Sequence, residues 1–169
     1  MKVAIIGASG YTGLELVRIV LRHPELELVV VTSEQRAGQL AGDCFPALRG
    51  LTDLRFEAND PKSLAGRVDV AFSCLPHAAS ATTVATIRKA GIVTLDLSAD
   101  FRLRSAEVYR QWYGEHKAPE LFGRAVYGMP EIYRDELPAA ELIAAPGCFP
   151  TGALLPMLPF LRAGVVETD

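Results

Sequence analysis

The strongest local pattern in this chain is found in residues 2–13, KVAIIGASGYTG. Lys2–Ile6 is a short apolar run, which predicts a central β-strand. Residues 7–13, called the glycine loop below, follow the pattern G-x-x-G-x-x-G. Glycines allow the backbone to turn tightly and approach a pyrophosphate, whose charge the first amides of a following helix would bind. Because the loop directly follows a strand, it favours a dinucleotide site over a glycine-rich turn without a ligand.

A helix is expected after the glycine loop, from Thr12 to about Arg22, because apolar residues recur there at helical spacing. Thr12 and Glu15 stand three residues apart, as in a capping box that fixes a helix start. Pro24 should end this helix. Elsewhere, strands are predicted at Leu26–Thr32, Leu54–Glu57 (within a poorly patterned loop, 36–64), Asp69–Cys74, Ile92–Leu97 and Leu142–Ala145, and helices at Ala78–Lys89 and Val108–His116. This alternation predicts an α/β, doubly wound, Rossmann-type domain with a mostly parallel sheet.

The composition argues against several classes of protein. The net charge of the 169 residues is −3 and the basic residues are scattered, so no nucleic-acid partner is expected. The most apolar stretch, Leu26 to Val31, is far too short to span a bilayer, so no membrane partner is expected. Three cysteines (Cys44, Cys74 and Cys148) form no C-x-x-C pair. We therefore expect neither a disulfide framework nor a metal site, and a cytoplasmic location.

The end of the second predicted strand indicates which dinucleotide the glycine loop would bind. An NAD site usually places Asp or Glu there to bind the ribose 2′-hydroxyl. This chain has Ser33, followed by Glu34, Gln35 and Arg36. A hydroxyl and a nearby guanidinium suit the 2′-phosphate of NADP(H) better than a carboxylate does. Glu34 could turn inward and oppose this interpretation, and Arg36 could instead be a solvated loop charge.

Cys148 is the candidate nucleophile. Pro146-Gly147 turns the chain, and an apolar helix is expected to begin at the cysteine. The dipole and free amides of a helix N-terminus stabilise a thiolate, and the same amides could bind an oxyanion. Gly147 would leave room for a substrate carbonyl beside the sulfur. For Cys44 and Cys74 we adopt the alternative, that of a small buried apolar residue.

Residues 148–169 are expected to form a separate unit. The apolar helix would continue to Arg162, and Pro156 and Pro159 should kink or interrupt it. Val165-Val166 resembles the start of a strand. We therefore expect a fragment, with an NADP-binding domain over 1–147. The nucleophile helix and the beginning of a second, truncated unit would follow over 148–169.

Five motifs resemble those of the N-acetyl-gamma-glutamyl-phosphate reductase family. They occur in order over essentially the whole chain, and the second, third and last together are highly specific. The motifs are Gly7–Gly13, Cys74-Leu75-Pro76-His77, Asp96-Leu97-Ser98-Ala99-Asp100-Phe101-Arg102, Tyr127-Gly128-Met129-Pro130-Glu131 and Pro146–Thr151. The resemblance implies NADPH as the reductant, a small-molecule acyl phosphate as the substrate and Cys148 as the nucleophile.

The resemblance also implies that residues 148–169 begin a truncated α+β catalytic domain, whose remainder beyond Asp169 carries a catalytic histidine. His23 at the wrong edge of the sheet and His116 in a polar loop are poor candidates for the proton shuttle. Residues 1–169 alone are therefore expected to bind nucleotide without catalysing turnover. We expect the full-length protein to be a homo-oligomer.

Several motif residues follow strands, at the sheet edge where α/β proteins bind ligands. His77 could line the nicotinamide end of the cofactor or cap the following helix. Arg102 could bind a phosphate or carboxylate, or form an ion pair with Asp100. Glu131 is expected to be structural, in a wall of the active site. The expected substrate-binding residues are Ser98, Asp100, Arg102 and Gly147. The expected cofactor-binding residues are Gly7, Ser9, Gly10, Tyr11, Thr12, Gly13, Ser33, Gln35, Arg36, Leu75, Pro76 and His77.

In the implied reaction, Cys148 attacks the γ-acyl phosphate and expels phosphate, and NADPH reduces the thioester to N-acetylglutamate semialdehyde in arginine biosynthesis. Two alternative substrates are carrier-bound aminoadipyl phosphate and aspartyl phosphate. An alternative of another class is a non-catalytic NADP-binding module.

Overall fold

Seven parallel strands form one sheet in the computed structural model, which describes residues 1–166. The strands are β1 (Lys2–Ile6), β2 (Glu27–Thr32), β3 (Phe56–Glu57), β4 (Val70–Ser73), β5 (Val93–Asp96), β6 (Val126–Tyr127) and β7 (Leu142–Ala144). Their order across the sheet is β3-β2-β1-β4-β5-β7-β6, and every pair of neighbours is parallel. The predicted doubly wound α/β fold is confirmed.

The chain changes direction between β1 and β4. From β1 it adds β2 and β3 on one side, and it then returns to add β4 and the remaining strands on the other side. In such sheets, the crevice beyond the carboxyl ends of the two strands at the reversal is where ligands bind. The glycine loop follows β1 and the Cys74–His77 motif follows β4, so the topology brings both motifs to this crevice.

The helices flank the sheet. They are α1 (Tyr11–Val20), α2 (Ala41–Cys44), α3 (Ser80–Lys89), α4 (Ala106–Tyr113), α5 (Pro130–Tyr133) and α6 (Cys148–Arg162), with short 3-10 helices at Pro46–Leu48, Pro61–Leu64, Pro119–Leu121 and Leu137–Ala139. Within residues 1–166, no helix has both the length and the apolar character that crossing a membrane requires.

Strand β1 is buried on both faces of the sheet. Val3 and Ile5 belong to one apolar cluster, and Ala4 and Ile6 belong to another. Successive side chains of a strand point to opposite faces, so a continuous apolar run is what a central strand covered by helices requires. This explains why the strand that carries the glycine loop was predictable from its composition.

The predicted capping box of α1 is wrong. The helix begins one residue earlier, at Tyr11, with Gly10 as its N-cap and no side-chain hydrogen bond to its first amides. Thr12 is therefore already inside the helix, where its side chain cannot serve as the N-cap. Glu15 instead pairs with Arg18 at 2.8 Å.

Helix α6 is continuous through Pro156 and Pro159, so the prolines do not interrupt it; the alternative, a kink at these positions, stays a prediction. Each proline removes one backbone donor, which leaves the carbonyls of Gly152 and Leu155 without their helical partners. Both of these residues are exposed, so water can satisfy the two carbonyls. Val165-Val166 has no strand assignment, and the rest of the predicted strand lies outside the described residues.

Candidate active site

Two glycines of the glycine loop are required by the fold itself. Gly7 has a φ of +74°, and a Cβ there would lie 3.1 Å from the carbonyl oxygen of Cys74. A Cβ on Gly13 would lie 2.6 Å from Cα of Ala8, because α1 packs directly on the loop. These glycines let the two strands at the crevice and the following helix approach each other closely.

Gly10 has a different environment. A Cβ there would meet only the carbonyl oxygen of Gly7, at 3.8 Å, so internal packing does not require glycine at this position. The first amides of α1, from Tyr11 to Gly13, have no carbonyl four residues back inside the helix, and no side chain caps them. The space beside Gly10 and these amides suit a pyrophosphate at the positive end of the helix.

A cleft of about 410 Å³, called the cofactor cleft below, opens beside the glycine loop. Its lining contains the predicted residues Gly7, Ser9, Gly10, Ser33, Gln35, Leu75 and Pro76, together with Thr32, Glu34, Asn59 and Cys74. The donors and the shape of this cleft therefore fit a dinucleotide.

Five predicted cofactor residues lie elsewhere, among them His77, which lines the cleft of Cys148. Tyr11 is 96% exposed and Gly13 is buried beneath the loop, where it serves packing. The guanidinium of Arg36 lies over the ring of Phe45, 5.2 Å from its centroid, and does not line the cofactor cleft. Thr12 lines the neighbouring cleft that contains Cys148. Arg36 therefore lies outside the lining of the cofactor cleft in this structure, and its contact with a 2′-phosphate stays a prediction.

Hydroxyl groups occupy the end of β2. The Thr32 hydroxyl accepts a hydrogen bond from the amide of Gly7 at 3.1 Å. The hydroxyls of Ser33 and Ser9 are hydrogen-bonded at 2.7 Å. These contacts join the strand end to the glycine loop, so that both sides of the cofactor cleft are held in one arrangement.

Asn59 is a cofactor-cleft residue that the sequence did not indicate. Its Oδ1 atom is buried and has no hydrogen-bond partner within residues 1–166. A buried acceptor without a partner is unfavourable, and a ligand donor would relieve it. No local pattern marks this asparagine, because it reaches the cleft only when β3 pairs with β2.

A second cleft, of about 660 Å³, surrounds Cys148 and is called the cysteine cleft. It shares Cys74 and Leu75 with the cofactor cleft, so the two are continuous along the sheet edge. Cys148 is exposed and is the first residue of α6, as predicted. No side chain caps this helix, and Pro150 has no amide hydrogen, so the amides of Cys148 and Phe149 are the donors available beside the sulfur.

Arg102 reaches the cysteine cleft in a fixed orientation. Its Nε donates to the carbonyl of Ala145 and its Nη2 donates to the carbonyl of Leu97, both at 2.7 Å. Its Nη1 faces Gly147, where an added Cβ would lie 3.0 Å from that nitrogen. Glycine at 147 therefore leaves room for a cationic donor next to the nucleophile, and the alternative ion pair between Arg102 and Asp100 is not formed.

Ser98 and Asp100 are 1% and 0% exposed, which corrects the prediction that they bind substrate. The Asp100 carboxylate accepts hydrogen bonds from the amides of Ala78 and Ala81, at 2.8 and 2.9 Å, and from the Tyr109 hydroxyl at 2.8 Å. It therefore caps the N-terminus of α3 from a distant part of the chain. The hydroxyl of Ser98 donates a hydrogen bond to the neighbouring buried carboxylate of Asp96, at 2.5 Å.

His77 lines the cysteine cleft and does not cap α3, whose cap is Asp100. Its Nδ1 accepts a hydrogen bond from the amide of Ala99 at 2.9 Å. The next residue, Ala78, has a φ of +61°, a left-handed conformation that is strained for a residue with a Cβ. Such strain persists only where surrounding contacts fix the backbone, as Asp100 does here.

Burial separates Cys74 chemically from Cys148. Burial, together with the nearby Asp96 carboxylate, raises the pKa of the Cys74 thiol to about 12. Burial also raises the pKa of Asp96, although hydrogen bonds from Ser80 and Ser98 oppose that shift. Cys74 is therefore a protonated thiol near neutral pH, which agrees with a packing role.

The other two histidines lie outside both clefts. His116 lies in the loop after α4, as predicted, and its ring packs against those of Phe101, Tyr109 and Phe122. His23 accepts a hydrogen bond from the amide of Glu25.

The Tyr127–Glu131 motif forms β6 and the start of α5, outside the lining of the cysteine cleft. No cluster of three or more candidate metal ligands occurs within residues 1–166.

Comparison with known proteins agrees with this geometry. Relatives named N-acetyl-gamma-glutamyl-phosphate reductase confirm the resemblance seen in the motifs. The protein of Rhodopirellula baltica is 46% identical over 100% of this chain, and that of Desulfotalea psychrophila is 48% identical over 99%. The chain spans 49% and 48% of the length of these relatives.

Solved structures support the fold. Aspartate semialdehyde dehydrogenase II of Vibrio cholerae, complexed with ASA, matches with a TM-score of 0.67 at 19% identity, over 96% of this chain and 46% of that one. The Candida albicans aspartate semialdehyde dehydrogenase with NADP matches with a TM-score of 0.65 at 17% identity, over 95% and 46%.

The family model "Semialdehyde dehydrogenase, NAD binding domain" matches residues 2–140, well over half of the chain. This match supports a nicotinamide cofactor as the ligand class of the domain. The chain belongs to the semialdehyde dehydrogenase family and carries that family's NAD binding domain.

Proposed function

We propose that this chain is the dinucleotide-binding part of an NADPH-dependent N-acetyl-gamma-glutamyl-phosphate reductase that acts through a thioester on Cys148. One observation carries the proposal: the exposed thiol at the open end of α6 lies in a cleft that is continuous with the cofactor cleft. The relatives that are 46% and 48% identical bear that name, which favours the arginine-pathway substrate over aminoadipyl or aspartyl phosphate.

The glycine loop would bind the pyrophosphate through the first amides of α1. Ser33 stands where an NAD site has a carboxylate, which supports NADP(H) as the cofactor. Leu75 and Pro76 continue the cofactor cleft toward Cys148. When bound, the dinucleotide supplies the hydride that reduces the acyl group.

Cys148 would attack the γ-carbonyl carbon of the acyl phosphate as the thiolate. A carbon–sulfur bond forms, the carbon–oxygen bond to phosphate breaks, and inorganic phosphate leaves with the electron pair of that bond. On this proposal the amides of Cys148 and Phe149 would bind the transient oxyanion. The Arg102 guanidinium beside Gly147 would bind the anionic phosphate or a substrate carboxylate.

We assign the proton shuttle to a histidine outside residues 1–169, and residues 148–169 to a second unit. None of the α6 residues is buried, which supports treating this helix separately from the sheet domain of residues 1–147. On this proposal the 169 residues alone bind nucleotide and do not reduce acyl phosphates at an appreciable rate.

The test is the reverse reaction of the full-length protein, followed as NADPH formation from N-acetylglutamate semialdehyde, phosphate and NADP. Cys148→Ser should lower the rate by at least about 10³-fold, because a serine hydroxyl is a much weaker nucleophile than a thiolate. The Kd for NADP should stay within about twofold, since the glycine loop does not involve this residue. Cys44→Ser, which removes a thiol outside both clefts, is the matched control and should retain activity.

Substantial activity in Cys148→Ser would refute covalent catalysis at this residue. A preference for NAD over NADP in the same titration would refute the cofactor assignment while leaving the nucleophile in place.

A further inference from the structure

We propose that His77 donates a hydrogen bond from Nε2 to an amide carbonyl oxygen bound at the junction of the two clefts. The inference deepens the proposed function and rests on it. The carbonyl would belong either to the carboxamide of the nicotinamide ring or to the N-acyl amide of the substrate, which present the same acceptor.

The hydrogen bond to the backbone fixes the tautomer of His77. Because Nδ1 accepts from the amide of Ala99 at 2.9 Å, that nitrogen carries no hydrogen. In the neutral ring the hydrogen therefore resides on Nε2, on the other side of the imidazole. Nε2 makes no hydrogen bond to any residue in the described range 1–166, although His77 lines the cysteine cleft. The ring thus offers one neutral donor to a ligand. It cannot accept a proton on Nδ1 without losing the hydrogen bond from the Ala99 amide.

The surrounding contacts hold this donor in place. The strained Ala78 that follows His77 is anchored through its amide to the buried Asp100 carboxylate. The ring of Tyr113 meets the imidazole edge to face, with 5.8 Å between centroids. Strain of this kind needs compensation, and it is found where the position of a side chain matters for ligand contact.

The position of His77 indicates which ligand group it meets. Pro76 lines the cofactor cleft and His77 lines the cysteine cleft, so His77 stands where the cofactor and the acyl group would come together. Arg102 already offers a positive charge for an anionic group in the cysteine cleft. A neutral N–H donor is suited to an uncharged carbonyl oxygen, and both candidate amides carry one.

Two substitutions separate donation to a ligand from anchoring of the loop. In His77→Asn, the amide oxygen can take the place of Nδ1 and still accept from Ala99, but the Nε2 donor is lost. In His77→Gln, the amide nitrogen can take the place of Nε2, but the acceptor for Ala99 is lost. The full-length protein would be measured for its Kd toward NADP, its Kd toward an NADP analogue whose pyridine ring lacks the carboxamide, and its KM for the semialdehyde.

We expect His77→Asn to weaken one of these ligands about tenfold, equivalent to about 1.4 kcal/mol. His77→Gln should stay within about threefold of the wild type. If the partner is the cofactor carboxamide, the Kd for NADP rises and the carboxamide-free analogue binds equally to wild type and His77→Asn. If the partner is the substrate amide, only the KM rises.

A purely structural histidine would give the opposite ranking, with His77→Asn close to wild type and His77→Gln impaired, and that result would overturn the inference. A fall in kcat alone, with unchanged Kd and KM, would also overturn it.

Nitrogen NMR of the wild-type imidazole gives an independent readout that needs no variant, and a hydrogen on Nδ1 would refute the tautomer. Failure of Cys148→Ser to lose activity would leave these binding measurements interpretable, so the two proposals can fail separately.

Discussion

The N-termini of α1 and α6 contrast with that of α3. Helices α1 and α6 begin after a glycine and have no side-chain cap, and both begin at a cleft. Helix α3 begins at the same edge of the sheet, but the buried carboxylate of Asp100 accepts from the amides of Ala78 and Ala81. Uncapped amides remain available to an anionic ligand, whereas capped amides hold the backbone in place.

One edge of the sheet therefore contains two kinds of helix start with separate tasks. The uncapped helices offer donors to the ligand and the nucleophile. The capped helix holds the His77–Ala78 turn in place beside the cysteine cleft, which His77 lines. Variants at Asp100 and Ser105 test the capped start, and variants at Gly13 and Gly10 test the uncapped start.

The largest effect on stability is expected at the capped end. Asp100→Asn should lower the free energy of unfolding of the full-length protein by about 3 kcal/mol, measured by urea denaturation. The amide keeps one acceptor oxygen, and its NH₂ group would face a backbone amide that also donates. The exposed cap Ser105, which accepts from the amide of Val108 at 3.3 Å, provides the control. Ser105→Ala should cost about 1 kcal/mol, and equal losses at the two sites would contradict the distinct role of the buried cap.

Gly13 and Gly10 test the uncapped end of α1. Gly13→Ala should cost about 2 kcal/mol of stability, because its Cβ would overlap Ala8. Gly10→Ala has open space and should cost less than about 1 kcal/mol, while raising the Kd for NADP at least about tenfold because the methyl group would occupy the pyrophosphate position. Unimpaired NADP binding by Gly10→Ala would show that the ligand does not approach this amide end.

The smallest effect is expected at Asn59. Asn59→Ala should change the unfolding free energy by less than about 0.5 kcal/mol, because the buried Oδ1 has no partner to lose. The Kd for NADP should rise about threefold, since the amide is expected to gain a partner only from the ligand. A clear loss of stability without a change in the Kd would instead assign Asn59 to packing.

The features that could be predicted from the sequence are those determined by a few neighbouring residues. The apolar run of β1, the glycine loop and the cysteine after Pro146-Gly147 each carry their signal within a few residues. The structure makes the apolar run a central strand and places the glycine loop and the cysteine at the same edge of the sheet. The wrong prediction of a capping box at Thr12 also came from a pattern of a few neighbouring residues. A capping box depends on which residue begins the helix, and Gly10 precedes the predicted start by two residues.

Contacts between distant residues could not be predicted in this way. Asp100 caps a helix that begins 20 residues earlier in the chain. The serine–aspartate network beneath it is completed by β-sheet pairing, and Asn59 enters the cofactor cleft by the same means. In the sequence, Asp100 and Arg102 are equally plausible as ligands. Only burial distinguishes the structural carboxylate from the cation at the cleft.

The shared lining of the two clefts bears on the design of covalent inhibitors. Cys74 and Cys148 border the same cavity, so an electrophile bound there encounters two sulfur atoms. Burial raises the pKa of the Cys74 thiol to about 12, so near neutral pH this sulfur is in the protonated, weakly nucleophilic form. An electrophile in this cavity should therefore react at the exposed Cys148 in preference to Cys74. A warhead placed in this cavity can be optimised for shape without being tuned against its neighbouring thiol.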